Sequence, residues 1–594
     1  MTQLLRLLLL TGGSLCSACV LSSEQYRWDD VPRLIAFSDV HGAYDQLQEL
    51  LSDLELIDGD NRWIGGETHL VSTGDLLDRG ADSRKVMDLL IDLQDQAEAS
   101  GGRVHVVLGN HELMNLYGDL RYVIDGEYLA YAGDQDDELR QRFQEQLSEQ
   151  GLSIEALGQK FPPGFFAHRE LFRPDGKYGR WINGLPFLIV VNQTAFAHGG
   201  VSPAVIGKDL GEVNRILHTE LNQYLTSWLP LRDAGVVTPG DGFWDRYEKV
   251  QAWLGTQPAD AELTQAATRF LDTEDSWLLG SDNPQWYRGN INCGPIFKGP
   301  ATQDALQSIG ANRLVVGHTP TPGRVQSHLG QRVIALDTGM APYYKGRASA
   351  LIFNGDELTV FYADDDSFSS PQSVPRSIGP RPGGLSDDQL QSLLTQGDVV
   401  EDNVEELNGR EVNVLHISDG THRVRALFQP GKNLNEVAAY RLDRVLGLDL
   451  IPVTVPRTHK GKKGWLRFWV EGAVSEQQRQ SQSLRFSPNC SLKEQYDLMN
   501  TFDTLIFNEG RTLDSILYER NSWDLVLVDH DRAFKTKSGR PPHLKNADLF
   551  LNKVLVQRLT DLTAENLNTH LDGLLGKSQV KGLLKRRDQI LKRK

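Results

Sequence analysis

Seven residues between positions 39 and 318 carry the side chains of a metal centre: Asp39, His41, Asp75, Asn110, His111, His198 and His318. Asp39-x-His41 sets a carboxylate and an imidazole on one side of a short loop, where both can reach one cation. Asp75 is a short, hard donor able to bridge two ions, and Asn110, His198 and His318 can complete a second site. A mixture of nitrogen and oxygen donors without thiolates suits Mn, Fe or Zn rather than Ca. Two such ions ~3.5–4 Å apart can hold a hydroxide between them and bind a phosphoryl group against it. Each residue alone has an ordinary reading, since Asp-x-His is a common turn and His-Gly a common loop. Their order at the ends of apolar runs is what argues for one shared site.

Those runs are the elements that must position them. Residues 33–38 stop at Asp39, residues 69–73 stop at Gly74-Asp75, and residues 104–108 stop at Gly109-Asn110. Between them, Val86, Met87, Leu89, Leu90 and Leu93 recur at helical spacing within 83–96. Buried strands alternating with amphipathic helices predict an α/β layered fold, with its site at the carboxyl ends of the strands. Further strands are expected at 187–191, 194–197, 313–316, 333–336, 348–353 and 357–362. Two stretches break the rhythm: 133–159, acidic and helical, and 210–279, helical and rich in Trp and Leu. Both are expected as insertions over one face. Beyond 363 the chain turns acidic, Ser-rich and then Pro/Gly-rich, a linker composition. This predicts a first domain over 31–363, a linker over 364–384 and a second domain over 385–594.

The chain has 594 residues, with 62 Lys plus Arg against 79 Asp plus Glu, a net charge of −17. That balance argues against nucleic-acid or anionic-membrane binding, which needs a basic face. Residues 1–23 have one positive charge, a short apolar run and the small residues Ser17-Ala18 before Cys19, the order of an export signal or a lipoprotein signal. Cys16 stands where a lipoprotein signal usually has Leu. The expected location is accordingly outside the cytoplasm of a bacterium, periplasmic or membrane-anchored through a lipid at Cys19. No later run reaches the about 18 apolar residues of a membrane-spanning helix. Cys293 and Cys490 lie far apart without CxxC spacing, so neither a thiolate metal site nor a disulfide framework is indicated, and no catalytic role is expected of them.

Asp39-x-His41-Gly42, Gly74-Asp75-x-x-Asp78-Arg79-Gly80, Gly109-Asn110-His111-Glu112, His198-Gly199-Gly200 and Val316-Gly317-His318 together resemble the signature of the phosphoprotein phosphatase family of calcineurin-like metallophosphoesterases. The resemblance covers about 33–362. Residues 113–122 and Gly317-His318-Thr319-Pro320 are similar to its bacterial Shewanella-like branch. It implies a four-layer β-sandwich flanked by helices, with two divalent metals, Mn²⁺ foremost and Fe or Zn next. It further implies Asp39 and His41 on the first metal, Asp75 bridging, and Asn110, His198 and His318 on the second. His111 would be the general acid, oriented by Asp78; the chemistry asks for such a donor independently, because an alkoxide is a poor leaving group. Arg79 would clamp phosphate oxygens through its planar fork, and Trp286-Tyr287-Arg288-Gly289 resembles the family's second phosphate arginine. Asp337-Thr338-Gly339 and Arg347 are expected to be structural. Ser38 stands where the family has Gly, and its side chain is expected to point away from the chemistry. The implied reaction is in-line attack of a metal-bridging hydroxide on a phosphomonoester, without a phosphoenzyme.

In 385–594, residues 435–448, 451–456, 502–508 and 525–534 resemble atypical kinases of the HipA and secretory-pathway kind. The resemblance implies an α+β kinase-like domain in which Glu436 is the helix-C glutamate and Asp529 the metal-binding aspartate. Gln429 stands where a phosphate-binding Lys is expected, Gly510 for the catalytic Asp and Ser515 for a metal-binding Asn, so phosphate transfer is not expected. Lys432 and Asp514 are off register as substitutes. The region reads as a degenerate module that could bind a nucleotide, a target or the phosphatase domain.

The function expected is hydrolysis of a phosphomonoester on a protein, a peptide or a small molecule. Two alternatives stay open: a nucleotide or dinucleotide polyphosphate hydrolase, and a kinase-like nucleotide-binding module regulated by the phosphatase domain. In each case a phosphorylated substrate must approach an acidic chain. Positive charge at the metals, Arg79 and Arg288 has to outweigh the surrounding field.

Overall fold

The computed structural model describes residues 26–593 except 136–137, 139, 142–144, 146–160, 239, 374–380, 383–384, 408, 486–489, 521 and 572. The expected export signal and most of 133–159 lie outside the described residues. Two sheets organise the first half of the chain. In one, β2 (Leu34–Phe37), β3 (His69–Ser72) and β4 (Arg103–Val106) run parallel in the order β2-β3-β4, with β10 (Ser349–Asn354) antiparallel to β2 and β11 (Glu357–Tyr362) beyond it. Their register aligns Phe37 with Ser72 and Ser72 with Val106. The three strands therefore end level, and the loops that follow lie side by side.

The other sheet holds β1 (Arg27–Trp28), β5 (Leu188–Val191), β6 (Thr194–Ala197), β7 (Arg313–Val316), β8 (Gln326–His328) and β9 (Val333–Ala335), in the order β1-β5-β6-β7-β9-β8. Here β6, β7 and β9 are parallel, with Ala197 opposite Val316 and Val316 opposite Ala335. Strand alternation explains the layering. Leu34 and Ala36 face Ile189, Val191, Phe196, Val315 and Ile334 in a core between the sheets. Ile35 and Phe37 face outward into a core with the helices.

Helices α1 (Tyr44–Asp53) and α2 (Ser83–Ala99) bury Leu47, Leu50, Leu51, Val86, Leu90 and Leu93 in that outer core. α3 (Asn110–Tyr117) follows β4 directly, and α4 (Asp125–Leu129), α5 (Phe165–Leu171) and α6 (Lys177–Asn183) extend this side. The expected helical stretch 210–279 holds α7 (Leu210–Asp233), α8 (Phe243–Gly255) and α9 (Ala261–Asp272). α7 is fastened to β5 through Asn214, whose Oδ1 accepts Phe187 N and Leu188 N at 2.9 and 3.2 Å. Short α10 (Gly289–Asn292) leads into α11 (Pro295–Ser308).

Part of the stretch with linker composition is paired. β12 (Ser367–Ser369) adds to β11, and β13 (Gln372–Ser373) adds in parallel to β8. Edge pairing needs only backbone N–H and C=O groups, so polar residues serve. After it come α12 (Asp387–Gln396) and an antiparallel sheet of β14 (Asp398–Leu407), β15 (Arg410–Ser418), β16 (Arg423–Pro430), β17 (Thr454–His459) and β18 (Lys462–Phe468), in the order β14-β15-β16-β18-β17. Between β16 and β17 lies α13 (Asn435–Leu446). β19 (Val474–Ser475), β20 (Ile516–Tyr518) and β21 (Leu525–Leu527) form a small sheet among α14 (Glu476–Ser481), α15 (Leu492–Ile506), α16 (Lys553–Thr560), α17 (Ala564–Leu571) and α18 (Lys577–Leu591). Among the described residues no helix is long and apolar enough to cross a membrane.

One expectation is corrected here. Cys293 and Cys490 form a disulfide across a sequence separation of 197, with Cα atoms 5.4 Å apart. Neither cysteine has a local partner, so only the docking of the two halves brings them together. The same docking places Ile296 and Phe297 of α11 inside the core of the C-terminal half.

Candidate metal centre

The loops at the strand ends turn sharply. Asp39, His41, Asp75, Asp78, Arg79 and His318 all have positive φ, between 26° and 70°. Non-glycine residues hold that conformation at a cost of order 1–3 kcal/mol each, and such outliers cluster where side chains must be aimed. Gly74 permits a close approach of two of these loops: at φ +94°, a Cβ there would stand 2.5 Å from Gly109 N.

Asp75 is the centre of the cluster. Its Oδ2 lies 3.1 Å from His198 Nε2, 3.7 Å from His41 Nε2 and 3.8 Å from His111 Nε2. Two buried triplets share it, His41–Asp75–His111 and Asp75–His198–His318, with ligand atoms within 4.8 Å of one another in each. Carbonyl groups fix the rings: His41 Nδ1 donates to Leu77 O at 2.8 Å and His198 Nδ1 to Thr73 O at 2.9 Å. Each Nε2 is thereby turned into the cluster, as a metal ligand requires.

The environment fits a cation. His198 Nε2 is 2.9 Å from Asn110 Oδ1 and 3.1 Å from His318 Nδ1, so electron pairs converge on one point. His318 Nε2 is buried without a partner. Burial opposes charge on His198, yet Asp75, with Asp39 and Glu112, pushes its pKa up to about 9. Burial also raises Asp337 to about 6, with Asp75 adding to the rise. A buried carboxylate set of this kind requires positive charge, and its nitrogen and oxygen donors match Mn, Fe or Zn.

Asp39 joins neither triplet. Its carboxylate takes the backbone N–H of His318 at 3.0 and 3.1 Å and the Ser38 hydroxyl. Burial first, then Asp337, raises its pKa well above the usual range. The expectation for Ser38 is therefore corrected: its hydroxyl bonds Asp39 and accepts from Thr73 Oγ1 at 2.9 Å. Alternation from Leu34 and Ala36 puts Ser38 on the face towards the second sheet, where a Cβ on Gly317 would stand 2.4 Å from its Oγ.

His111 is held by Asp78, with Nδ1 2.5 Å from Oδ2. Arg79 Nη1 lies 2.6 Å from His41 Nε2, and its guanidinium sits among the rings of Tyr122, Tyr344 and Tyr343 at 5.0, 5.2 and 5.7 Å. Arg288 reaches the opposite side, where Nη1 donates to His318 O at 2.6 Å and Thr319 Oγ1 at 3.0 Å. Burial lowers the Arg288 pKa, opposed by Asp39 and Asp75. Asp337 lies close to the same cluster, with Oδ1 accepting Gly339 N at 2.9 Å, and Arg347 is paired with Asp364 and Asp365.

Other residues contribute beyond any role legible in the motifs. Glu112, fully buried, accepts Asp75 N, Leu76 N and Gly109 N at 2.8–2.9 Å and so ties two motif loops together. Asn115 donates to Asp78 Oδ1 and His111 O, both at 3.0 Å; its helical i,i+4 spacing from His111 is the only sequence signal. Tyr343 and Tyr344 carry no such signal.

Far from this centre, Glu436 is buried and accepts Arg467 Nη1 at 2.8 Å, Asp529 N at 3.2 Å and His530 N at 2.6 Å. Burial opposes its charge, but His530 and Arg467 hold it well below the usual carboxylate range. Asp529 points outward, within 3.2 Å of Arg467 Nη1. The ion pair to Glu436 thus comes from β18, not from Gln429 on β16.

Residues 32–322 match the calcineurin-like phosphoesterases. The chain carries a calcineurin-like phosphoesterase domain. Over part of it, Shewanella-like protein phosphatase 2 of Arabidopsis thaliana is 31% identical across 216 residues, 34% of this chain and 54% of that protein. Shewanella-like protein phosphatase 1 of Plasmodium berghei is 25% identical across 324 residues, 54% of this chain and 71% of that protein. Among solved structures, a cold-active protein-tyrosine phosphatase of a psychrophilic Shewanella is 26% identical, with TM-score 0.40, covering 59% of this chain and 83% of the other. The protein is a phosphatase of the metallophosphoesterase kind.

Proposed function

We propose that this chain is an exported phosphatase that removes phosphate from proteins or peptides, with aromatic phosphomonoesters its preferred class. The observation that carries the reading is Asp75 shared by two buried triplets, with His111–Asp78 and two guanidiniums around them. Asp39, His41 and Asp75 would hold one divalent cation, and Asp75, Asn110, His198 and His318 the other. When bound, Mn²⁺, or Fe or Zn in its place, supplies Lewis acidity and an activated water for in-line displacement.

The chain's own residues do the rest. Arg79 and Arg288 hold phosphate oxygens from opposite sides. His111 gives a proton to the leaving oxygen, and Asp78 holds the ring for that transfer. Tyr122 supports the aromatic preference: its ring is 5.1 Å from the His111 ring, on the leaving-group side, and Tyr343 is 68% exposed at the rim. A phenolic leaving group can stack there, which an alkyl one cannot.

Hydrolysis of p-nitrophenyl phosphate, lost on chelation, restored by Mn²⁺ and abolished by Asp75→Asn, tests the centre. Phosphotyrosine, phosphoserine and phosphothreonine peptides set against dinucleotide tetraphosphates test the substrate; faster turnover of the dinucleotides would overturn the protein-phosphatase reading. Export is supported by the Cys293–Cys490 disulfide, since such bonds persist in oxidising compartments. Lipidation at Cys19 would add a membrane anchor.

Within the same proposal, 385–594 is a kinase-like module that binds a nucleotide without transferring phosphate. Arg467 takes the partnership of Glu436, Gly510 offers no carboxylate, and Arg511 is turned inward onto Asp503 at 2.8 Å.

A further inference from the structure

The segment that carries Arg288 has one end in the phosphate site and the other in the core of the C-terminal half. Arg288 is the N-cap of α10, and the carbonyl of Arg288 accepts Asn292 N at 3.0 Å. Within α10, Asn290 is buried and binds Val201 at both backbone atoms, N at 2.8 Å and O at 3.0 Å. That contact fixes α10 to the loop following His198. Cys293 closes the helix and is bonded to Cys490.

Immediately beyond, Ile296 and Phe297 leave the phosphatase domain. They are 0% and 5% exposed, and they pack among Leu498, Met499, Phe502 and Leu555 in the core of the C-terminal half. The Phe297 ring meets Phe550 edge-on at 5.3 Å, Asn552 Nδ2 donates to Ile296 O at 2.6 Å, and Lys553 pairs with Asp304 at 2.7 Å. The ten residues from Arg288 to Phe297 contain a covalent tether, a helix and an apolar anchor. A short segment fixed at both ends cannot move at one end without strain at the other.

We infer that the C-terminal half is a positioning element for Arg288, acting through α10, the Cys293–Cys490 bond and Phe297. Its docking holds the guanidinium where phosphate arrives, so phosphate affinity in the first domain depends on packing in the second. Cys293, Ile296 and Phe297 are positioning residues, since none touches substrate. The coupling is reciprocal: phosphate bound at Arg288 stabilises the docked arrangement, and a ligand or partner that shifts the second domain changes phosphate affinity by the same factor. This inference rests on the reading of Arg288 as a phosphate-holding residue.

The test uses full-length, Mn²⁺-loaded protein and inorganic phosphate as the competing product. Four proteins are compared with the parent: Cys293→Ser/Cys490→Ser, Phe297→Ala, Arg288→Ala, and Arg288→Ala combined with the cysteine pair. Removing the disulfide or the Phe297 ring raises the Ki of phosphate by about fivefold or more, with kcat changing much less. In the Arg288→Ala background, removing the disulfide shifts Ki by less than about twofold, because the residue through which it acts is gone. Phe297→Leu, which keeps the apolar anchor without the ring contact, gives an intermediate shift and covers the case in which Phe297→Ala fails to fold. An unchanged Ki in the cysteine variant, or an equal shift with and without Arg288, overturns the inference while leaving Arg288 as a phosphate ligand. An unchanged Ki in Arg288→Ala alone overturns the reading of Arg288 itself, and the coupling with it.

Discussion

His111 Nδ1 lies 2.5 Å from Asp78 Oδ2, and the other carboxylate oxygen of Asp78 takes Asn115 Nδ2 at 3.0 Å. Both oxygens of Asp78 are thus occupied, one by the imidazole and one by an amide a helical turn further along α3. Asn115 also donates to His111 O, so a single side chain fixes the backbone of His111 and the carboxylate that holds its ring. His111→Asn is expected to lower kcat on p-nitrophenyl phosphate by about 10²–10⁴-fold, the range for losing a positioned proton donor. Asp78→Asn and Asn115→Ala are expected to fall between that variant and the parent. Full activity in His111→Asn would rule the residue out as the acid.

Metal loading is expected to show in stability as well as activity. Asp75, Asp39 and Asp337 are buried together, and a cation bound only by the folded state adds about 2.7 kcal/mol at a hundredfold excess over its Kd. Adding Mn²⁺ to chelated protein is expected to raise the melting temperature, and Asp75→Asn, which removes the donor shared by both triplets, is expected to abolish most of the rise. Calorimetric scans of the two proteins check this without any substrate.

Among the described residues, the basic side chains within hydrogen-bond reach of Glu436 are Arg467 at 2.8 Å and the His530 ring at 3.2 Å. Arg467→Met strands a buried carboxylate and is expected to cost about 3–5 kcal/mol, read from urea unfolding of the C-terminal transition. Full-length Asp75→Asn protein given labelled ATP is expected to show no phosphate transfer to itself or to peptides, because Gly510 has no side chain to accept a hydroxyl proton. Robust transfer would sink the degenerate-kinase reading.

Two buried histidines set a pH limit. His168 is fully buried, stacks on Phe172 at 4.3 Å and has neither ring nitrogen bonded; burial lowers its pKa well below the ordinary value. Burial lowers His328 to about 4. Between about pH 6.5 and 4 the unfolded chain binds protons at these positions that the folded chain refuses, so stability falls as pH falls, by up to about 1.4 kcal/mol per pH unit for each histidine. Above pH 6.5 their contribution is fully present. Urea midpoints from pH 4.5 to 7.5 check the slope, and His168→Phe is expected to reduce it by one proton.

The metal centre is legible in the sequence because its residues are local to the elements that aim them. Asp39, Asp75 and Asn110 follow the ends of three parallel strands, and His198 and His318 follow two more, so apolar runs that stop at polar motifs already locate the site. Arg288 shows only as a short string between motifs. Ser38 misleads, since the resemblance implies a side chain turned away from the chemistry while its hydroxyl bonds Asp39. The paired edge strands at 367–373 are hidden by a composition that reads as linker, because backbone pairing leaves no mark on side-chain type.

By itself the amino-acid sequence determined which His, Asp and Asn side chains stand at the strand ends, the layered α/β frame and the reaction class, each a matter of residue type and short-range order. Tertiary structure alone decided which distant groups meet. Cys293 finds Cys490, Arg467 rather than Gln429 finds Glu436, Tyr343 and Tyr344 surround Arg79, and Phe297 leaves its own domain to join the core of the other. The physical reason is common to all four. A contact between residues from separate parts of the fold costs the chain loop entropy that only the packing of whole domains repays, and no local pattern of residues records that sum.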